Sequence, residues 1–269
     1  MRLVVLAILC IQGVILYAEK PTHLKALVVF DSSGSKLQKY YRLDGKQMEK
    51  TLHSVASQTC LIPEIQAVPS NRLTHQKINA WIQTLSARDV AVFYYAGHET
   101  CARKDPWSSM IFSQTKKDSF PVTQLLTPAI RKQQPHLTLV LIDSYNKILR
   151  FSKKRQRLHI PPLGTAHNPR LAALFVESSG LVNASSKLNR RPGFALYLNR
   201  PIGGLLTNSI QKFLGVKEER KKASWDDFLD SINSRCLELS HKRQYPVLRQ
   251  NIHTPTSGPV VQKMHSINK

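Results

Sequence analysis

Two apolar runs that stop abruptly at polar residues constrain this chain most. "VAVFYYAGHE" (90–99) carries a β-prone run into a Gly97–His98 turn, and "LTLVLIDSYNK" (137–147) ends a second run in Asp143, Ser144 and Tyr145. Aromatic and β-branched residues suit a pleated, packed surface. A run this uniformly apolar leaves no face for water, so it fits a strand covered on both sides. "KALVVFD" (25–31) reads as a first buried strand and "IPEIQAV" (62–68) as a short one. Between them, Met48, Leu52 and Val55 recur at helical spacing in 43–60. In 74–87, Thr74 is a good N-cap and Ile78, Trp81, Ile82 and Leu85 form an apolar face. A helix near 122–133 precedes the strand 137–142. Beyond it, "RLAALFVES" (170–178) reads as a strand, 203–215 and 224–243 as helices, the second capped by Ser224, and "PVLRQN" (246–251) as a last strand.

Strand–helix–strand alternation with near-continuous apolar strands implies a parallel sheet covered by helices on both faces. In such sheets reactive groups collect beyond the C-terminal strand ends. Strands 25–30, 89–95 and 137–142 are therefore expected to run parallel, with His98 and Asp143 at one sheet end. Gly97 permits a tight turn and could offer its N–H to a developing oxyanion, while His98 could move a proton.

The string "DVAVFYYAGHE" resembles the histidine motif of the caspase-like peptidases, the clan of caspases, metacaspases and bacterial caspase-like domains. "LTLVLIDSYNK" falls where that family has its cysteine strand. "AALFVESSGLVNASSKL" and "GGLLTNSIQKFLG" resemble the strand, loop and helix that follow its inter-subunit linker. The similarity spans roughly 25–251. It implies an α/β three-layer sandwich, with a mostly parallel six-stranded sheet and helices on both faces. It also implies a cysteine–histidine dyad. His98 matches the dyad histidine and Gly97 the oxyanion-hole glycine. Asp143 matches the acidic residue that helps bind a basic substrate side chain in metacaspases.

The nucleophile position of that pattern falls on Tyr145, and Glu99 replaces the second glycine of the histidine turn. A phenol, with a reference pKa near ~10, is a poor acyl acceptor. Two residues could replace the missing thiol. Ser144 adjoins the position, but a one-residue slip on a strand turns the side chain to the other face. Cys101 follows His98 by three residues. Cys60, at the end of a helix, and Cys236, on the apolar side of another, read as packed residues. The resemblance, with Tyr145 at the nucleophile position, therefore implies a caspase-like pseudopeptidase that acts by binding a peptide or protein ligand in the His98 crevice. The alternatives are a cysteine-type endopeptidase with a displaced nucleophile, cleaving after basic residues, and a basic polyanion-binding protein. No cofactor motif is present, and no CxxC or Cys/His spacing points to a structural metal.

Arg2 followed by "LVVLAILCIQGVILY" and Ala18 reads as a signal peptide over 1–18, so export is expected; retention as a membrane anchor through 3–17 is the alternative. The caspase-like domain is then 19–255. It divides into a large-subunit-like part (19–146), a linker (147–169) and a small-subunit-like part (170–255), with a tail at 256–269. Lys and Arg total 39 against 17 Asp and Glu, a net charge of +22. Such a surface suits polyanions or an anionic membrane, although no specific nucleic-acid motif is present. The linker combines "KKRQR" (153–157) with Pro161, Pro162 and Pro169. Limited trypsin digestion of the full chain should cut first within 147–169. Fragment masses placing the first cuts elsewhere would contradict that reading.

Overall fold

Each of the long apolar runs becomes a central strand, because only a strand covered on both faces buries every one of its side chains. The structure is a computed structural model that describes residues 20–32, 38–100, 109–111, 119–144, 166–188, 204–215, 223–239, 244–253 and 264–265. Expectations concerning 1–18, Cys101, Tyr145 and 147–165 lie outside these residues.

In chain order the elements are β1 (His23–Phe30), α1 (Gln38–Thr59), β2 (Ile62–Pro69), a short 3-10 turn (Ser70–Arg72), α2 (His75–Gln83) and β3 (Asp89–Gly97). Next come β4 (Glu99–Thr100), β5 (Ser109–Ile111), β6 (Ser119–Pro121), a π-helical turn (Val122–Leu126), α3 (Thr127–Lys132) and β7 (Leu137–Ser144). The last elements are α4 (Pro169–Ala172), a second π-helical turn (Ala173–Glu177), β8 (Ser179–Leu188), α5 (Leu205–Leu214), α6 (Trp225–Leu239), β9 (Gln244–His253) and β10 (Met264–His265).

The main sheet has the order β10-β9-β8-β7-β3-β1-β2. β2, β1, β3, β7 and β8 pair parallel, and β9 and β10 complete the edge antiparallel. Helices cover both faces, as the family resemblance implied. β10 is a two-residue addition to the expected six strands, and it falls in the segment read as a tail. Alternate residues of β3 feed two cores. Val90, Val92, Tyr94 and Ala96 join the side chains of α1, α4, α5 and α6. Ala91, Phe93 and Tyr95 join those of α2 and α3, with Met110 of β5 and Phe120 of β6. β4, β5 and β6 form a separate antiparallel sheet that starts directly after His98.

Residues 170–178 correct the sequence reading: they form α4 and the π-helical turn, and the strand lies at Ser179–Leu188. The helix starts at Asn168, whose Oδ1 accepts from the N–H groups of Arg170 and Leu171, with Pro169 at the first helical position. Leu171, Leu174 and Phe175 then recur at helical spacing and are buried. With Ala and Leu predominating over β-branched residues, apolar content does not separate helix from strand here.

β2 forms the other sheet edge. Ile62 is 56 % exposed, and its N–H donates to the Thr22 carbonyl at 2.9 Å. Cys60 also departs from expectation: it is exposed and free rather than packed. It follows the last residue of α1 with φ of 58°, while the Leu61 N–H donates back to the Ala56 carbonyl at 3.0 Å. This is a left-handed helix terminus, the place where glycine costs least. Cys60→Gly should therefore raise the urea midpoint, with a gain of about 0.5–1 kcal/mol. A lower midpoint would mean that Cys60 makes a stabilising contact.

Candidate functional site

The register of the central strands delivers three polar positions to one end of the sheet. Phe30 pairs with Ala96 and Ala96 with Asp143, so the strands β1, β3 and β7 finish side by side. His98 and Asp143 accordingly occupy the same end, as the apolar runs predicted.

His98 is clamped from three directions. Its Nδ1 hydrogen-bonds Oδ2 of Asp31, the residue that follows β1. Tyr41 of α1 lies against the imidazole edge-on, with ring centroids 5.3 Å apart. The Tyr95 hydroxyl donates to the His98 carbonyl at 2.7 Å. Asp31 is itself fixed: it is 2 % exposed, its N–H donates to the Ala96 carbonyl at 2.8 Å, and Ser70 Oγ donates to its Oδ1 at 3.4 Å. A carboxylate on Nδ1 sets the ring orientation and leaves Nε2 to meet a ligand. The His98 side chain keeps 34 % of its surface open.

Gly97 closes β3 opposite Ser144. A Cβ there would lie 2.5 Å from the Tyr95 hydroxyl oxygen and 2.8 Å from Asp31 Cβ. Its missing side chain is therefore what lets the Tyr95 phenol and the Asp31 side chain close around the histidine. Glu99 begins β4, where it pairs with Met110.

Ser144 follows Ile142 and Val140 along the strand, and those residues belong to the core under α2 and α3. His98 contacts Tyr41 on the α1 side of the sheet. Strand alternation thus turns Ser144 from the histidine's face. Cys236 is buried beside Ser209 Oγ at 3.5 Å, and burial pushes its thiol up to about 12. Neither described cysteine, Cys60 or Cys236, is placed against the imidazole. Tyr145 and Cys101 lie outside the described residues.

Asp143, which the resemblance would make a substrate-binding residue, lies near the end of β7 against α5. It is 0 % exposed, and its Oδ2 accepts from both the N–H and the Oγ1 of Thr207, at 2.9 and 2.6 Å. Thr207 Oγ1 spends its only proton on that bond, so Tyr94 donates to Thr207 at 2.6 Å. Asp143 therefore anchors the first turn of α5, where the helix dipole also favours a negative charge. Asp44 of α1 reaches the same turn: its Oδ1 accepts from the Gly204 N–H at 2.7 Å. Its second oxygen, Oδ2, is buried without a hydrogen-bond partner among the described residues. Burial first, and then the neighbouring Asp143 charge, raise the Asp44 carboxyl well above its ordinary value.

Asp31, Tyr41, Tyr95, Asp44 and Thr207 were missed in the sequence. Asp31 had a readable signal, since it ends an apolar strand just as Asp143 does. Asp44 had none, because it sits inside a helical pattern with no local mark.

Among solved structures, the chain is similar to protein GSU0716 from Geobacter sulfurreducens, with a TM-score of 0.50, 14 % identity, and coverage of 88 % of this chain and 95 % of that one. It is also similar to pro-sf-caspase-1, with a TM-score of 0.47, 11 % identity, and coverage of 86 % of this chain and 92 % of that one. The likeness to the Geobacter protein is one of fold. No protein-family model matches the chain, and no curated protein matches it.

The carboxylate pair makes a pH prediction. A buried acid raised in the folded state keeps a proton that the unfolded chain releases, so its contribution is full below the unfolded pKa and is lost as pH rises. Asp44→Asn removes that loss. The variant's stability relative to the parent should increase from about pH 4 upward, by up to about 1.4 kcal/mol per pH unit. Urea unfolding of both proteins across pH 4–8 measures this, and a constant difference would refute a proton held at Asp44.

Proposed function

We propose that this protein is an exported caspase-like pseudopeptidase, which uses the crevice at the C-terminal sheet end to bind a peptide segment without cutting it. The observation that supports the reading is the His98–Asp31 pair, a partly open imidazole oriented by a buried carboxylate on the histidine that the sequence resemblance matches to the dyad. Orientation of an imidazole by a buried carboxylate is costly in buried polarity, and core packing has no need of it. The half-open His98 ring leaves Nε2 as a donor or acceptor for a ligand amide.

The absence of cutting follows from the nucleophile. A thiolate beside the imidazole is what attacks the scissile carbonyl in this chemistry. The sequence pattern puts the phenol of Tyr145 at that position. Cys60 sits at the end of α1 and Cys236 in the core against Ser209, so neither can serve. Ser144 is 4 % exposed and turned to the other face of the sheet. The reading of a displaced nucleophile then rests on Cys101 alone.

Purified protein should fail to hydrolyse fluorogenic peptides with Arg, Lys or Asp before the scissile bond. Tyr145→Cys should bring measurable turnover that a second change, His98→Ala, abolishes. Turnover by the parent that disappears in Cys101→Ala would overturn the pseudopeptidase reading.

A further inference from the structure

The solvent face of α1 carries a charge pattern that the fold does not need. Lys39, Arg42, Lys46, Lys50 and His53 are all exposed. At 100° per residue they line one stripe about 80° wide, with a rise of ~16 Å from Lys39 to Lys50. Successive members stand three or four residues apart, the spacing at which like charges on a helix repel. The first turn contains no acidic residue and does contain Lys39, against the helix dipole. The one acid of α1 outside the core, Glu49, lies half-buried at the flank of the stripe. Lys39 extends over the Tyr40 ring at 5.0 Å, and none of the four Lys and Arg residues forms an ion pair among the described residues. A row of cations that weakens its own helix at two levels is a departure from local consistency of the kind that marks function.

The surroundings select the partner. A helix that lies on a membrane inserts its apolar side, but the apolar side of α1 (Met48, Leu52, Val55) is buried against the sheet. Single-stranded nucleic acid is held by exposed aromatic platforms, whereas the exposed large hydrophobic residues among those described are Ile62 and Leu125. What remains is a straight, rigid row of point charges. Duplex DNA carries a phosphate on each strand about every 3.4 Å of helix axis, a stiff rod of opposite sign.

We propose that the exposed face of α1 binds the phosphate backbone of duplex nucleic acid without regard to sequence, through Lys39, Arg42, Lys46 and Lys50. The surface is separate from the His98 crevice, and the proposal stands whether or not that crevice binds peptide.

The test is fluorescence anisotropy of a fluorescein-labelled 20-base-pair duplex titrated with the full chain between 50 and 200 mM NaCl. The variant combines Lys39→Gln, Arg42→Gln, Lys46→Gln and Lys50→Gln. The slope of log K against log salt should become shallower by roughly 3–4, the release expected for four phosphate contacts, and affinity at 50 mM should fall at least tenfold. A control with Lys20→Gln, Arg72→Gln, Arg131→Gln and Lys132→Gln removes the same charge outside α1 and should change the slope by less than ~1. The α1 variant should keep or raise the parent's Tm, because it relieves like-charge repulsion. Three results would overturn the proposal: equal weakening by the control, a lowered Tm in the α1 variant, or loss of binding to vesicles of 30 % phosphatidylserine in phosphatidylcholine with duplex binding unchanged.

Discussion

The in-step parallel pairing of β1, β3 and β7 is the constraint from which the rest follows. With Phe30 beside Ala96 and Ala96 beside Asp143, the residues leaving each strand emerge together. A shift of one residue in any of these strands would exchange its two faces. Tyr94 and Tyr95 would then trade cores, and the bonds from Tyr94 to Thr207 and from Tyr95 to the His98 carbonyl could not both form. The site is thus specified by the same alternation that fills the two cores. The Asp31 N–H, tied to the Ala96 carbonyl, and the Ser70 hydroxyl on Oδ1 then hold Asp31 beside His98.

Much of this was legible in the sequence, for physical reasons. Long apolar runs have one stable solution, a strand buried on both faces, so β1, β3 and β7 were read directly, along with the sheet end that carries His98. Caps were also legible: Thr74 Oγ1 accepts from the Lys77 N–H, and Ser224 and Asp227 bond each other reciprocally at the start of α6. What failed was short or non-local. The segment 170–178 is rich in Ala and Leu rather than β-branched residues, so its apolar content does not separate helix from strand, and its Asn168–Pro169 start was the better signal. Cys60 looked packed because cysteines usually are, yet the turn after α1 places it outward. Asp44 and Gly204 meet only because α5 returns beside α1, and that pairing has no trace in either segment alone.

The contact between α1 and α5 gives the buried carboxylates their meaning. Gly204 bonds Asp44, and Gln211 Nε2 bonds Thr51 Oγ1 at 3.0 Å. Both bonds join residues of the same sequence offset, so the two helices run parallel and in step. Asn208 lies between these crosslinks, 1 % exposed, and its amide finds no hydrogen-bond partner among the described residues. A seam this polar stabilises little for its area, since buried polar groups without partners are costly. What it supplies is selectivity in docking: α5 fits α1 in one register, and that register sets Thr207 on Asp143.

The edge strand β2 has a further consequence, one that concerns other molecules. Ile62 N–H points inward to the Thr22 carbonyl, so by alternation the N–H positions of residues 63, 65, 67 and 69 point away from the sheet. Positions 63 and 69 are prolines and carry no hydrogen. A foreign strand arriving at this open border would find only Ile65 and Ala67 able to donate. Sheet borders left with full ladders recruit further chains into fibrils, and prolines at outward positions starve that growth. The chain therefore leaves one border of its main sheet exposed to solvent while denying it the hydrogen bonds that would let the sheet lengthen.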